Sequence, residues 1–235
     1  MNLICIKFKP HLQFENRFIK LITEKGYIMR IKTLVAAMAA VASLAPIAAQ
    51  AQSSSENPWM IRVRAVDLLF KNGQSGIAQT LDLKAQNQVI PEFDVSYFFT
   101  KNIAAELVLT YPQSIQIDAG GNKLGTIKAL PPSLVLQYHF TDFGAFKPYI
   151  GAGVNYTIFS SRNNLGGGTY SVDSSSVGAV GQIGMDYMFD KNWGLNVDVK
   201  YATMSTNVSS PAYGPSAGKL TLNPWMPAVG VTYKF

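Results

Sequence analysis

Few residues of this sequence could do chemistry. Nucleophilic catalysis needs a nucleophile, a base and an orienting carboxylate within reach of one another, and zinc sites take several Cys or His ligands. The sequence has two histidines and one cysteine, and of these only His139 lies beyond the N-terminal stretch that we predict is removed. We interpret His139 as a hydrogen-bonding residue. The run Gly166-Gly167-Gly168 lacks the lysine and the strand–helix context of a phosphate-binding loop, so we expect a non-enzyme with no catalytic residue, metal or cofactor.

The charged side chains follow another pattern, because many of them alternate with apolar residues. Asp186 and Asp198 occupy polar positions of two alternating segments, and Arg62, Arg64 and Lys200 do the same elsewhere. Residues that alternate in this way point to one face of a strand. We therefore expect these acids and bases to pair with one another inside a β-structure.

The net charge of +6 over 235 residues would suit a nucleic-acid or anionic-lipid partner. Its distribution argues against such a partner. Residues 1–51 hold seven of the 20 basic and two of the 14 acidic residues, which leaves 13 basic and 12 acidic residues in the rest of the chain. We therefore expect no nucleic-acid partner. The charged fraction of 14% is below the roughly 25% of soluble domains and indicates a surface that faces lipid.

A secretory signal peptide explains part of the N-terminal charge. Arg30 and Lys32 precede a compact apolar run, residues 33–45, and Ala49-Gln50-Ala51 follows as a small-residue cleavage site. The run is shorter than the about 20 residues that a membrane-spanning helix needs. Met29 has the position of the natural start, with a genuine N-terminal extension as the alternative. The predicted parts are an upstream stretch (1–28), a signal peptide (29–51) and an outer-membrane barrel (52–235).

The dominant pattern after residue 51 is an alternation of apolar and polar residues. In one segment Val89 and Phe93 stand at odd positions, whereas Glu92 and Asp94 stand at even positions. A period of two is typical of strands with two unlike faces. The alternating segments are 59–69, 89–99, 102–111, 130–140, 147–159, 177–189, 193–203 and 225–235. Short connections (100–101, 141–146 and 190–192) alternate with long ones (70–88, 112–126, 160–175 and 204–222).

These features predict an all-β fold, an eight-stranded antiparallel transmembrane β-barrel with short periplasmic turns, long extracellular loops and periplasmic termini. The alternatives are a secreted β-sandwich and a lipocalin-like barrel, whose apolar faces point inward. The polar faces carry too many charges of both signs for a dry sandwich core, and aromatic residues crowd the ends of the apolar faces, as in membrane girdles. The predicted periplasmic girdle is Trp59, Tyr97, Phe99, Tyr138, Phe140, Tyr187, Phe189, Trp193, Tyr233 and Phe235, and the outer girdle is Tyr111, Tyr156, Tyr201 and Trp225.

An ordered set of motifs runs through the same segments. The motifs occupy residues 130–140, 147–156, 181–187, 192–201, 222–225 and 230–235. In this order they resemble the OmpW family of outer-membrane proteins over nearly the whole mature chain. The resemblance implies an eight-stranded barrel with a narrow apolar channel that passes small hydrophobic molecules, and some members of the family act as receptors for bacterial toxins or phage. No gating residue is transferred from the family, because the loops depart most from its pattern.

The C-terminal segment carries a more general signal. A terminal phenylalanine preceded by alternating apolar residues is what the outer-membrane assembly machinery recognises. We therefore predict the assembly machinery of a Gram-negative outer membrane as a partner, besides membrane lipid and small hydrophobic solutes. The predicted assembly signal consists of Trp225, Val229, Val231, Tyr233 and Phe235.

The inward face changes its character along the barrel, because the position of a residue on its strand sets its depth. We predict an apolar vestibule that opens outward above a polar plug, with plain filling of the barrel by the apolar residues as the alternative. Glu92 and Asp94 interrupt the apolar set. The predicted polar plug is Arg62, Arg64, Glu106, His139, Asp186, Asn196 and Lys234. The predicted apolar lumen is Val66, Leu68, Ile90, Val108, Val135, Met204, Met226 and Ala228.

Prolines suggest where a ligand leaves such a vestibule. Proline removes ladder hydrogen bonds, so prolines in the outer half of the wall would weaken it and permit lateral release into the membrane. The alternative is that they only mark strand ends. A second class of function also stays open, a structural or adhesive barrel that works through its loops. The prolines in question are Pro91, Pro112, Pro131, Pro132, Pro224 and Pro227.

Overall fold

The alternating segments form strands with bounds close to those predicted. A computed structural model describes residues 57–235, and the predicted upstream stretch and signal peptide lie outside these residues. The elements are β1 (Trp59–Leu68), β2 (Gly73–Gly76), α1 (Ile77–Thr80), β3 (Leu83–Ala85), β4 (Gln88–Phe98), β5 (Ile103–Leu109), β6 (Gln113–Ala119), β7 (Asn122–Leu130), β8 (Ser133–His139), β9 (Phe146–Ser160), a 3₁₀ turn (Gly166–Gly168), β10 (Ser171–Val172), β11 (Ser175–Met188), β12 (Trp193–Ala202), β13 (Ser205–Ser210), β14 (Gly214–Thr221) and β15 (Trp225–Lys234).

Eight of these strands close into a barrel. Their order is β11-β12-β15-β1-β4-β5-β8-β9, and β9 pairs back onto β11. The neighbouring strands are antiparallel throughout. The predicted all-β fold with eight antiparallel barrel strands is confirmed. Residues 57–235 contain no helix that is long and apolar enough to cross a membrane.

The faces of the barrel are the reverse of those of a water-soluble sandwich. On β12 the apolar residues Leu195 and Val197 are about half exposed, at 50% and 47%, whereas Asn196 and Asp198 between them are buried. An exposed apolar face next to a buried polar face suits a barrel surrounded by lipid. The β-sandwich and lipocalin-like alternatives are therefore wrong.

Aromatic rings concentrate at the end of the barrel that holds the short connections 99–102, 140–145 and 189–192, which we call the turn end. The opposite end, which holds the long connections, is the loop end. At the turn end Trp59 packs edge-on against Tyr97, and Trp193 against Tyr233, with ring centroids 4.9 and 4.8 Å apart. Such rings suit the boundary between lipid and water.

The long connections are folded rather than irregular, contrary to the prediction of plain loops. Strands β6 and β7 form a hairpin that extends the barrel sheet by pairing with β9. Strands β10, β13, β14 and β2 form a second sheet. Leu130, which we placed in one strand with residues 133–140, instead ends β7, because Pro131 and Pro132 separate the two strands.

An apolar cluster explains why these connections fold. The inward residues Val66, Leu68 and Ile90 of the barrel belong to the same cluster as Ile117 and Leu220 of the loop-end strands. Burying such side chains removes apolar surface from water and stabilises the hairpins. The predicted vestibule therefore does not open freely outward, since loop-end side chains pack on its residues.

Candidate functional site: the barrel lumen

Arg62 is the centre of a buried polar network in the lumen. Its Nε and Nη2 atoms donate to the two carboxylate oxygens of Asp186 at 3.1 and 2.7 Å. Its Nη1 atom donates to Glu106 at 2.9 Å and to Ser96 at 3.2 Å. Two parallel hydrogen bonds fix the plane of a guanidinium group. Because an unpaired buried charge is very costly, these partners are what permit an arginine at this depth.

Arg64 lies two residues further along β1, toward the loop end. Its Nη2 atom donates to Asp94 and, at 3.2 Å, to Glu106, and its Nε atom lies 3.0 Å from a carboxylate oxygen of Glu92. Asp94 and Glu92 are the ladder partners of Arg62 and Arg64 across β1 and β4. The two acids that interrupt the predicted apolar set are therefore the cross-strand partners of the arginines.

Lys200 of β12 forms the layer of the network nearest the loop end. Its ammonium group donates to Glu92 and to Asp198, each at 2.8 Å. Asp198 also accepts from the Tyr149 hydroxyl and from Gln182, each at 2.9 Å. The charged members of this buried network are the carboxylates Glu92, Asp94, Glu106, Asp186 and Asp198 and the cationic side chains Arg62, Arg64 and Lys200.

His139 has the contacts of a packed hydrogen-bonding residue. Its Nε2 atom lies 2.9 Å from the side-chain oxygen of Gln137. Its ring lies between those of Phe98 and Tyr149, with centroids 4.8 and 4.9 Å away. Within residues 57–235, no three His, Cys, Asp or Glu side chains are grouped as a metal site requires.

Asn196 and Lys234, the last two residues of the predicted plug, occupy different environments. Asn196 is buried and donates to Asp186 at 2.9 Å and to the Tyr149 hydroxyl at 3.0 Å. Lys234 is only half-buried, and its ammonium lies 5.5 Å from the centre of the Phe98 ring. The structure therefore brings Asn196 into the central network and leaves Lys234 near the turn end.

The predicted apolar residues form the layer above the network, on its loop-end side. All eight are buried except Met226, which is half-buried. Val135 packs with Val180 and Ala202 in a small cluster of its own. A cavity of about 40 Å³ lies in this layer, with Glu92 and Lys200 on its lining. Five of the predicted residues line the cavity, namely Leu68, Ile90, Val108, Met204 and Met226.

The barrel wall next to this cavity is interrupted. The ladder between β4 and β5 ends at the pair Phe93–Leu109, and the ladder between β3 and β6 begins at the pair Ala85–Ile117. Seven residues lie between the two pairs on each strand, so the two ladders share one register and form a single long hairpin with a gap. We call this gap the window, which lies between residues 87–92 and residues 110–115.

Side-chain hydrogen bonds replace the ladder at the window. Pro91 and Pro112 lie in it on opposite strands, and proline has no N–H to donate. The Thr110 hydroxyl donates across the window to the carbonyl of Pro91 at 3.1 Å. The Gln113 amide donates within its own strand, to the carbonyl of Tyr111 and to the Thr110 hydroxyl, each at 2.9 Å. The remaining predicted prolines lie between β7 and β8 (Pro131 and Pro132), before β15 (Pro224) and within β15 (Pro227).

The two strands also change their buried faces at the window. Ile90 of β4 and Val108 of β5 are buried even-numbered residues, whereas Leu83, Ala85 and Ile117 beyond the window are buried odd-numbered residues. A shift of one residue turns the other face of a strand to the core. The outer part of the hairpin therefore folds over the lumen with its opposite face inward.

Two inward glycines provide space for large buried side chains. A β-carbon at Gly184 would overlap the ring and hydroxyl of Tyr149, and one at Gly230 would overlap the carbonyl of Val63 and lie 2.6 Å from Cγ of Arg64. The lumen is therefore filled by a few large polar side chains set against glycine. Sequence reasoning did not identify this pairing of large and small residues.

Comparisons with known proteins agree with this architecture. An uncharacterized outer-membrane protein of Sinorhizobium fredii, y4mB, is 46% identical over 186 residues, which cover 76% of this chain and 80% of the relative. The dibenzothiophene metabolism operon protein PahQ of Pseudomonas aeruginosa is 27% identical over 197 residues, which cover 77% of this chain and 90% of the relative.

Solved structures and a family model extend the likeness to the whole barrel. The crystal structure of the outer membrane protein OprG from Pseudomonas aeruginosa matches with a TM-score of 0.63 and 29% identity, and the match covers 75% of this chain and 95% of OprG. Residues 59–235 match the model of the OmpW family. The chain therefore belongs to the OmpW family of outer-membrane β-barrel proteins.

Proposed function

We propose that the protein passes small hydrophobic molecules across the outer membrane. In this proposal a solute enters the apolar layer from the loop end, stops at the polar network and leaves sideways through the window into the membrane. The observation that carries the proposal is the junction of the apolar cavity with the window, since Ile90, Val108 and Thr110 line the cavity and also border or lie in the window. The likeness to PahQ, which is named after dibenzothiophene metabolism, supports a hydrophobic solute.

The polar network supports a lateral exit rather than a water-filled channel. Arg62, Glu106 and Asp186 have no exposed surface, and an eight-stranded barrel has an interior just wide enough for its side chains. A solute that reached this layer would meet paired charges, which bind apolar molecules poorly. We therefore assign to the predicted plug the role of closing the apolar layer on its turn-end side, and we call this boundary the floor of the apolar layer.

The apolar layer has to expand before it holds a solute. A cavity of about 40 Å³ is far below the roughly 300 Å³ of small ligand sites. The loop-end hairpin made by β6 and β7 contributes Ile115 and Ala129 to the cavity lining. We assign the entry step to a movement of this hairpin away from the barrel mouth.

The lengths of the connections support a proposed orientation of the barrel in the membrane. Bacterial outer-membrane barrels have short periplasmic turns and longer extracellular loops. We therefore place the turn end and both termini of the mature chain in the periplasm. In this orientation the assembly machinery reads β15 and the residue after it. The outward side chains of Trp225 and Val229 in β15, and of Phe235 after it, are about half exposed. Deletion of Phe235 is expected to lower the amount of folded protein in the outer membrane, and an unchanged amount would contradict that role.

A matched pair of substitutions tests the proposed transport. Leu68→Lys places a charge in the apolar layer, whereas Leu69→Lys places the same charge on the exposed neighbour. The measurement is the initial rate of naphthalene uptake by Gram-negative cells that lack other members of the family. We expect Leu68→Lys to lower the rate to that of cells without the protein and Leu69→Lys to retain most of it. Equal rates for wild type and Leu68→Lys would overturn the proposal.

A change of one loop tip separates transport from the adhesive alternative. Replacement of residues 120–121, the tip of the β6–β7 hairpin, by a longer flexible linker is expected to leave naphthalene uptake intact or faster. A barrel that works only as a receptor would show no uptake with either version, and only its attachment to cells or phage would change.

A further inference from the structure

We propose that the floor of the apolar layer binds a neutral hydroxyl group, so that the preferred solutes are uncharged amphiphiles such as medium-chain primary alcohols. This inference rests on the proposed transport function and specifies its substrate class. It is drawn from Glu92 and Lys200, which are the charged side chains on the lining of the cavity.

Lys200 has a hydrogen-bond donor to spare. An ammonium group carries three donors and no acceptor. In the described structure two of these donors are used, toward Glu92 and Asp198, each at 2.8 Å. The side chain is 2% exposed and the residue lines the cavity, so we assign the third donor to the cavity rather than to bulk water.

Glu92 provides the complementary acceptor. One of its carboxylate oxygens, Oε1, is shared by Lys200 at 2.8 Å and by Nε of Arg64 at 3.0 Å. Its other oxygen has no hydrogen-bond partner among the described residues, and it keeps some accessible surface, since the buried unpaired side-chain atoms of these residues are Nε of Arg64 and Nε2 of Gln88. The Glu92 side chain is 6% exposed and lines the cavity, so this oxygen can accept a hydrogen bond from a solute.

A hydroxyl group matches this pair of positions. It donates one hydrogen bond and accepts others, so it can donate to the free oxygen of Glu92 while it accepts from Lys200. The lining also supplies apolar surface for a hydrocarbon chain, for example through Leu68, Val108 and Met226. Its other polar side chains, which are uncharged, are Thr110, Gln113, Ser133 and Asn155.

The charge of the network selects against ionised head groups. The buried network holds the five carboxylates and three cationic side chains named above, so it has an excess of negative charge. A carboxylate head group would approach this excess, and an ionised head group of either sign would also lose its hydration in a small cavity that is mostly apolar. A neutral hydroxyl avoids most of this cost and also offers more than an alkane, which leaves the two polar atoms unpaired.

Methionine methyl resonances provide a direct measurement of binding. Met204 and Met226 line the cavity, whereas Met60 packs with Phe98 and Ala104 in a separate cluster and serves as an internal reference. The protein, produced from residue 52 and labelled with ¹³C at the methionine methyls, is placed in phosphatidylcholine nanodiscs. It is titrated with 1-hexanol, n-hexane, hexanoate and hexylammonium.

The test compares wild type with the double variant Glu92→Leu/Lys200→Met, which removes one charge of each sign. Lys219→Met, at an exposed position of β14, is the matched control. Because each bilayer takes up a given probe equally, the ratio of half-saturating concentrations between two proteins does not depend on partitioning. We expect the double variant to need about tenfold more 1-hexanol, the effect of one or two neutral hydrogen bonds, and an unchanged concentration of n-hexane.

The outcomes separate the head-group inference from the proposed function. If n-hexane leaves the Met204 and Met226 resonances of the wild type unmoved, the apolar layer does not bind hydrophobic molecules and the proposed function fails. If n-hexane binds but 1-hexanol shows no loss in the double variant, only the hydroxyl site is overturned. Tighter binding of hexanoate or hexylammonium than of 1-hexanol would also overturn it. If the double variant does not fold, Lys200→Gln replaces it, with a loss for 1-hexanol expected in the same direction.

Discussion

Arg62 and Asp186 form a two-pronged ion pair across the barrel, with Nε–Oδ1 and Nη2–Oδ2 distances of 3.1 and 2.7 Å. The two residues are 124 positions apart in the chain and belong to strands that do not pair with each other, β1 and β11. The pair therefore ties opposite walls together through the lumen. It gives the network a role in the stability of the barrel besides its proposed role as a floor.

A double-mutant cycle measures how much the ion pair between Arg62 and Asp186 contributes to the free energy of unfolding. Arg62→Met leaves Asp186 buried without its main partner, and removal of one member of a buried pair typically costs about 3–5 kcal/mol. The double variant Arg62→Met/Asp186→Leu is expected to lose less than the sum of the single variants, because no uncompensated charge remains in this pair. The measurement is urea-induced unfolding in lipid vesicles, followed by tryptophan fluorescence.

The control for this cycle is Asp142→Asn in an exposed turn. Surface substitutions of this kind change the free energy of unfolding by about 0.5 kcal/mol or less. A single variant Arg62→Met that is as stable as this control would show that the pair contributes nothing to the stability of the barrel.

Two glycines of β11 test how tightly the lumen is filled. Gly184→Val would force its side chain into the space of the Tyr149 ring, whereas a β-carbon at Gly181 meets open space on the lipid face. Overpacking a tight interior costs about 1–3 kcal/mol or more, and the displaced Tyr149 would also lose its hydrogen bond to Asp198. We expect Gly184→Val to reduce the folded fraction, seen as heat-modifiable mobility in gels, and Gly181→Val to fold like wild type. Equal folding of both variants would contradict the filled lumen.

The sequence could predict the strands because each has two unlike faces. Leu195 and Val197 face lipid, and Asn196 and Asp198 face the lumen. The alternation in the sequence therefore predicts both the presence of the strand and which of its faces points to lipid. The same reasoning placed Arg62 on the inner face, since its neighbours in the chain are apolar and exposed or half-buried. Alternation cannot predict which residue pairs with Arg62, because the distance from Arg62 to Asp186 depends on closure of the barrel.

The window and the loop-end strands show a different limit of sequence reasoning. Ile115 and Ile117 alternate with Gln116 in β6, so a signal for this strand was present, but we treated residues 112–126 as a loop. The exchange of buried faces between Ile90 and Ala85 has no such signal. It depends on how the hairpin packs over the mouth of the barrel, which is a tertiary property.

We predict that the turn at residues 189–192, which contains Asp190, is sensitive to acid. Hydrogen bonds from the backbone N–H groups of Trp193 and Asn192, each 2.7 Å long, lower the pKa of its carboxyl group. A carboxyl whose pKa is lower in the folded state stabilises that state above its unfolded pKa of about 3.9 and loses this effect as the pH falls through the folded pKa. Asp190→Asn keeps an acceptor that does not titrate. As the pH falls below about 4, we expect this carboxyl to make wild type lose stability that Asp190→Asn does not lose.

The measurement is a pH titration of the Asp190 side-chain carbonyl by NMR, together with unfolding of both proteins over the same range. An Asp190 carboxyl that titrates at or above its ordinary value would contradict the role of these hydrogen bonds. An equal acid response of both proteins would assign the response to other carboxylates.

A reversible cross-link tests whether solutes leave through the window. Pro91 and Tyr111 lie on opposite strands of the window, and both are exposed. They also occupy opposed positions in the register that the ladders on either side share. The one cysteine of the sequence, Cys5, precedes the predicted cleavage site, so in the processed protein Pro91→Cys/Tyr111→Cys introduces a single thiol pair. Its disulfide would close the gap between the strands. Phe93→Cys/Leu109→Cys, at the last pair of the intact ladder, is the control.

We expect oxidation to lower the rate of naphthalene uptake at least tenfold for the window pair, because only this pair blocks the lateral path. Oxidation should leave the uptake rate of the control pair unchanged, and reduction should restore the rate of the window pair. Uptake that continues through the oxidised window pair, with the disulfide verified by mass spectrometry, would show that solutes leave the barrel by another route.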